Sequence, residues 1–524
     1  MDVKLSNGLM TRLPRLEAGH PLPVLRRREF LLGTALSAAA LPSVLNAQGP
    51  LEATPESSAQ TGDDFGGARA PRLNASIDLA TAGALETAEA VRSGACSALE
   101  VCDAAIARIE ALDGPLNAVV VRDFDRARDA ARAIDRQRKP DDGRRFLGVP
   151  MTVKESNDVA GLPSTWGLEM FSAATAARDS VVVQRLKAEG AVILGKTNVP
   201  VMLGDWQAAN PIYGRTVNPY DATRSPGGSS GGAAAALASG MVPLEIGSDI
   251  GGSIRVPAHM CGVFGHKPTY GIVPQRGHMP AGMDGVETPL AAIGPMARSA
   301  ADLAAALAVI AGPETGSGYR LALPDARHHR LSDYRVRVLR EMPGVPADAD
   351  THAALDQLVR GLETAGAAIS EASAGLPDLE ALLETYLIML PTITSRGAPG
   401  AVPVDAHHWM GLLDTQLDIT RSWKQLFDEV DIVISPVFST PAFPHDDNPD
   451  SASRVLKVDD RSIPYESQLA WAAIANFAGL PATSVPVAYS RSGLPIGMQL
   501  MSAPLADWTT LRFAALLEAE GLTA

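Results

Sequence analysis

The chain has 524 residues, 46% of them hydrophobic and 20% charged, with a formal net charge of −14; this is the balance of a large globular protein. Its acidity, with no basic patch after residue 50 beyond ordinary arginine-bearing helices, argues against a nucleic-acid partner. The three cysteines, Cys96, Cys102 and Cys261, form neither a disulfide framework nor a Cys-x-x-Cys metal signature.

In chain order, the first feature is an address. Arg26-Arg27-Arg28-Glu29-Phe30 leads into a mild apolar stretch ending at Leu45, followed by Asn46-Ala47. This resembles a twin-arginine signal peptide over 1–47, cleaved after Ala47, and implies an exported, periplasmic or secreted protein. The apolar stretch is too short for a stable membrane span of about 20 residues. Residues 48–75, rich in Ser, Gly, Asp and Pro, read as a flexible linker.

From residue 76 to 524 a single large domain is expected. Helical periodicity covers Thr81 to Gly94 and Ser97 to Leu112, the second opened by a Ser97/Glu100 capping box, and then Asp123 to Arg138. Extended runs at Val149–Lys154 and Ala191–Gly195 flank a helix from Ser180 to Glu189, a βαβ-like alternation. Further helices are expected at Ala233–Ser239 and Ser299–Ala311, and strands at Tyr334–Leu339 and Asp431–Ser435. The stretch from 345 to 430 reads as mostly helical. A closing hairpin, Ser484–Val487 with Pro495–Met501, precedes a terminal helix. The fold class is therefore α/β, built as an α/β/α layered core.

Two serine-bearing glycine runs stand out: Ser225-Pro-Gly-Gly-Ser-Ser-Gly-Gly232 and Gly247-Ser-Asp-Ile-Gly-Gly-Ser-Ile-Arg255, downstream of Lys154. Together they offer a nucleophile, a relay hydroxyl, an amine base and backbone donors without a histidine, which reads as an acyl-transfer site. Gly227-Gly-Ser-Ser-Gly231 also satisfies the Gly-x-Ser-x-Gly elbow of α/β-hydrolases, but no apolar strand leads into it. A phosphate loop lacks its closing Gly-Lys-Ser/Thr, and no lysine follows a serine by three residues as a Ser-x-x-Lys site needs. The His328-His329 and His407-His408 pairs lack metal-ligand spacing, so no metal and no cofactor is expected.

These runs, with Gly195-Lys-Thr-Asn198, Gly265-His-Lys-Pro-Thr269, Gly294-Pro-Met-Ala-Arg298 and Gly497-Met-Gln499, resemble the amidase signature family over roughly residues 76 to 520. The resemblance implies a mixed central sheet and a carboxamide hydrolase acting through an acyl-enzyme. It assigns Ser253 as nucleophile, Ser229 as bridging serine after a cis Gly228–Ser229 peptide, and Lys154 as base. The base must be a neutral amine, so its pKa must fall from about 10.4 toward roughly 7–8 by desolvation. Backbone N–H groups of Ile250, Gly251, Gly252 and Ser253 would form the oxyanion hole. Ser230 is expected to hydrogen-bond within its loop, and Asp249 and Arg255 to hold the nucleophile loop through hydrogen bonds or an ion pair rather than to bind substrate, with Lys196 and Lys267 structural. Because side chains alternate along a strand, Glu155 faces away from Lys154 and reads as structural; His259 and His278 have no place in the relay. Met202, Trp206, Met279 and Met283 would wall an apolar acyl pocket suited to aryl or alkyl groups. The expected partner is a small-molecule amide. A homodimer is left open, as are an α/β-hydrolase esterase and a non-catalytic or amidotransferase-like component of a larger assembly.

Overall fold

The structure, a computed structural model, describes residues 77–139, 141–283, 285–396 and 400–524; the signal peptide expected over 1–47 and the linker expected over 48–75 lie outside the described residues. The first elements are α1 (Ala84–Ser93), α2 (Ala98–Leu116), β1 (Val119–Arg122) and α3 (Phe124–Gln137). Helix α2 begins on the expected capping box. The Ser97 hydroxyl accepts the Glu100 N–H, and the Glu100 carboxylate accepts the Ser97 N–H. Next come β2 (Pro150–Lys154), α4 (Val181–Ala188) and β3 (Val192–Thr197); β2 and β3 pair in parallel, with Lys154 opposite Thr197. A short ribbon, β4 (Ala209–Asn210) with β5 (Gly214–Arg215), precedes α5 (Gly231–Ala238), β6 (Leu244–Asp249), α6 (Arg255–Cys261), β7 (Phe264–Lys267), β8 (Ala292–Ala297) and α7 (Ala300–Ile310).

The second half runs β9 (Arg335–Val338), α8 (Ala349–Thr364), β10 (Ala368–Ser370), α9 (Leu379–Thr394), α10 (Ala406–Glu429) and β11 (Ile432–Pro436). A separate hairpin, β12 (Val455–Val458) with β13 (Arg461–Pro464), leads to α11 (Leu469–Phe477), β14 (Ala482–Tyr489), β15 (Pro495–Met501) and α12 (Asp507–Ala519). Eleven strands form one sheet in the order β1-β3-β2-β6-β8-β7-β14-β15-β11-β9-β10. Pairing is parallel across β3-β2-β6 and β11-β9-β10 and antiparallel elsewhere, so the sheet is mixed.

Helices cover both faces. On one, Leu186 of α4, Leu303 of α7, Leu355 of α8 and Leu511 of α12 share a single cluster with Met151, Val153, Leu244 and Ile246 of β2 and β6 and with Ile434, Val485 and Met498 further along the sheet. On the other, Ile106, Ile134 and Leu237 pack against Val192 and Leu194, while α9 to α11 form a further cluster around Trp423 and Trp471. Strand alternation then decides where chemistry falls. With Met151 and Val153 in the first cluster, Thr152 and Lys154 project from the opposite face of β2, as Glu245 does between Leu244 and Ile246 of β6.

The sequence signal for β6, β7 and β8 is weak because glycine, serine and histidine interrupt their apolar runs. The stretch expected to be mostly helical between 345 and 430 carries β10, whose three residues are too few to show an alternation. Among the described residues, no helix is long and apolar enough to cross a membrane.

Candidate active site

Lys154 ends β2 and is fully buried. Its Nζ lies 2.6 Å from Ser229 Oγ, 2.9 Å from Ser248 Oγ and 3.3 Å from the Ser248 carbonyl oxygen. Burial pushes the amine down to about 7, against the nearby Asp249 and Glu245 carboxyls, which pull it up. A neutral amine has two N–H donors and one lone pair. The Ser248 carbonyl and hydroxyl can take the two donors, and the Ser229 O–H can donate to the lone pair, so the neutral form is fully satisfied. Ser248 belongs to the second glycine run, where its position one residue before Asp249 is the only sequence signal of this contact.

Glu245 is a second buried group on this face that the sequence did not flag. Burial raises its carboxyl to about 7, countered by the Thr152 and Thr197 hydroxyls, the Ile246 N–H and Lys154. Its Oε2 accepts the Ile246 N–H at 2.9 Å. The Oε1 atom and the two threonine hydroxyls lie near one another without closing a hydrogen bond.

The first glycine run threads between backbones. A Cβ on Gly228 would stand 2.4 Å from the Asp205 carbonyl oxygen, which no rotamer change relieves. The Gly228–Ser229 peptide is cis. Ser230 does not bond within its own loop: its hydroxyl sits 3.4 Å from the Ser248 nitrogen and its N–H donates to the Ser253 carbonyl at 3.1 Å. The two serine loops are thereby joined. Ser253 is 6% exposed. The hydroxyl–hydroxyl bond that a relay expects between Ser229 and Ser253 is not formed in this structure, where Ser229 Oγ partners Lys154.

The second run is braced by Asp249. Its carboxylate accepts the N–H groups of Gly252 at 2.9 Å and Ile254 at 3.1 Å, and pairs with Arg255 through Nε and Nη2, both at 3.0 Å. Burial alone would raise this carboxyl, but the Arg255 guanidinium, helped by Lys267 and the Ile254 N–H, holds it well below the usual range. Arg255 is tied further to Gln499 at 2.6 Å. The expected supporting ion pair is therefore present. Of the four expected oxyanion donors, the Gly252 N–H is committed to Asp249, which corrects the four-donor expectation. The N–H groups of Ile250, Gly251 and Ser253 make no hydrogen bond among the described residues.

The remaining residues sort by their contacts. Glu155 faces away and accepts the Thr165 and Trp166 N–H groups at 2.6 and 3.0 Å. Lys196 donates to the Pro163 carbonyl and Lys267 to the Pro268 carbonyl, both buried. His259 accepts the Gly497 N–H on Nδ1 and donates from Nε2 to the Thr440 carbonyl. His278, pushed down to about 3 by burial and by Lys154, pairs with the Ser156 hydroxyl at 2.9 Å. Trp206 is not a free pocket wall. Its ring packs edge-on against Phe438 and Tyr465, and its Nε1–H donates to the Gly251 carbonyl at 3.0 Å. Met202, Met279 and Met283 are half-buried.

The family description Amidase matches residues 100–398 and 400–511. The A component of a glutamyl-tRNA(Gln) amidotransferase from Roseiflexus castenholzii is 32% identical over 471 residues, covering 81% of this chain and 92% of that protein. An indoleacetamide hydrolase from Bradyrhizobium diazoefficiens is 32% identical over 457 residues, covering 83% of this chain and 86% of its own. Among solved structures, a 6-aminohexanoate cyclic dimer hydrolase complexed with substrate superposes with a TM-score of 0.71 at 27% identity, covering 85% of this chain and 98% of that one.

Proposed function

This chain belongs to the amidase signature family, and we propose that it hydrolyses a carboxamide C–N bond to a carboxylate and ammonia or an amine. The observation that carries the reading is a buried lysine, pushed down to about 7, within 2.6 Å of a serine hydroxyl that adjoins a loop with unpaired amides. Ser253 Oγ attacks the carbonyl carbon. Its proton passes to Ser229 Oγ as the Ser229 proton passes to the Lys154 lone pair. The oxygen gains negative charge facing the Ile250, Gly251 and Ser253 N–H groups. Collapse breaks the C–N bond, and the leaving nitrogen takes its proton from Ser229, which regains one from Lys154. Water attacks the Ser253 ester through the same relay in reverse and releases the acid. The Ser253 hydroxyl turns onto Ser229 as the carbonyl enters; catalytic hydrogen bonds commonly tighten only in the substrate complex.

The acyl group we assign is aryl or alkyl, with Met202, Met279 and Met283 as its adaptable wall, and esters and carbamates as secondary substrates. We also propose export on the 1–47 signal peptide, checked by sequencing the mature N-terminus. Fluorophosphonate labelling with peptide mapping tests the nucleophile: label on Ser253 supports the scheme, and label on Ser229 supports an α/β-hydrolase-like esterase instead. Similarity to the A component of an amidotransferase favours a second reading, one member of a larger assembly. Hydrolysis of simple amides by the purified chain, without ATP, glutamine or tRNA, decides against it.

A further inference from the structure

The segment from Asp249 to Ser253 has every one of its carbonyls held. The Asp249 oxygen accepts Asn476 Nδ2 at 3.3 Å, the Ile250 oxygen accepts Tyr386 Oη at 2.8 Å, and the Gly251 oxygen accepts Trp206 Nε1 at 3.0 Å. The Gly252 oxygen accepts the Val256 N–H at 2.7 Å and the Ser253 oxygen accepts the Ser230 N–H at 3.1 Å. In a planar trans peptide, the N–H of one residue points opposite to the C=O of the residue before it. Fixing a carbonyl therefore aims the next amide. Asn476 aims the Ile250 N–H, and Tyr386 aims the Gly251 N–H.

We propose that Tyr386 is a positioning residue for the oxyanion hole: its hydroxyl, delivered by α9 from 136 positions along the chain, locks the Ile250 carbonyl so that the Gly251 amide faces the reacting oxygen. This rests on the amidase reading above and adds a residue outside both glycine runs. Three observations converge. Tyr386 is fully buried, and burial holds its phenol protonated as a donor well above the usual range. A Cβ on Gly251 would meet Tyr386 Oη at 3.5 Å and Leu469 Cδ2 at 3.2 Å, so the loop lies directly on the phenol. Gly251 itself has no side chain with which to fix its peptide plane, and its own N–H is unpaired among the described residues. Without the hydroxyl, the 250–251 peptide is free to rotate, and the donor no longer waits in place for charge to develop.

Tyr386→Phe removes the hydroxyl and keeps the ring. With 4-nitroacetanilide as substrate, kcat should fall about 10- to 100-fold, less than for outright removal of an oxyanion donor, while KM stays within about twofold. Affinity for an aryl trifluoromethyl ketone, which forms a tetrahedral adduct, should fall by the same factor; affinity for the planar parent amide, measured in a Ser253→Ala background, should not. Unchanged kcat and ketone affinity overturn the proposal. So does a loss of melting temperature accompanied by equal losses for ketone and amide, which marks a merely structural phenol. If the wild-type chain hydrolyses no anilide and Ser253 takes no fluorophosphonate label, the amidase reading fails first and this inference falls with it.

Discussion

The strongest test of the base assignment is the acid limb of the pH–rate profile. Lys154 is pushed down to about 7 by burial. If its neutral form is the base, kcat/KM follows the deprotonated fraction: about half of plateau at pH 7 and about 1% at pH 5, a roughly 100-fold fall with unit slope. Lys154→Arg, which cannot deprotonate, and Lys154→Ala should each lose on the order of 10²–10⁴ in kcat on the plateau above about pH 8, and the gap to wild type should narrow as the pH falls. Stability gives an independent reading of the same shift. The unfolded lysine binds its proton up to its usual 10.5, the folded one only to about 7, so folded stability rises with pH through that window and the penalty is complete below it. Moving a lysine from 10.5 to about 7 corresponds to an order-of-magnitude penalty of ~5 kcal/mol. Lys154→Met should therefore melt higher than wild type at pH 6 and lose that advantage toward pH 10. The assay pairs anilide hydrolysis from pH 5 to 9 with thermal melts from pH 6 to 10. A flat profile, or near-full hydrolysis by Lys154→Ala at neutral pH, refutes the assignment.

Glu245→Gln removes a charge that pulls the Lys154 amine up, so the acid limb of kcat/KM should move to lower pH; a shift upward contradicts the placement of this carboxyl. Gly252 holds φ +88°, and a Cβ there would stand 2.9 Å from Val256 Cγ2. Gly252→Ala should cost about 1–3 kcal/mol in urea unfolding and lower kcat together with it. Asp249→Asn leaves Arg255 buried without its counter-charge, so a loss of about 3–5 kcal/mol is expected in the same assay.

How far the site could be read from sequence follows from how local each signal is. The capping box of α2 is legible because Ser97 and Glu100 satisfy each other within one turn. The βαβ unit carrying Lys154 is legible because Met151 and Val153 alternate with it, and alternation also sends Glu155 away from the amine. The two glycine runs announce themselves because close backbone approach, as at Gly228, leaves no room for a Cβ. Composition cannot show which amides stay free. That outcome depends on Asp249 taking the Gly252 N–H and on Trp206, Tyr386 and Asn476 taking the carbonyls. Trp206 read as pocket wall for the same reason: an indole near an active site serves equally well as surface or as donor, and only the direction of its N–H separates the two. Tyr386 and Asn476 lie on α9 and α11, where the sequence shows helix-forming and apolar residues and no chemistry. Their value comes from the loop they meet, so a residue that aims an amide leaves no mark on its own neighbours in the chain. The Asp249–Ser253 loop thus has a legible half, the glycines and serine to which the proposed chemistry is assigned, and an illegible half, the distant donors that hold its carbonyls still. Free energy for transition-state stabilisation needs both, because an amide stabilises a developing charge without reorganisation only when its peptide plane is already fixed.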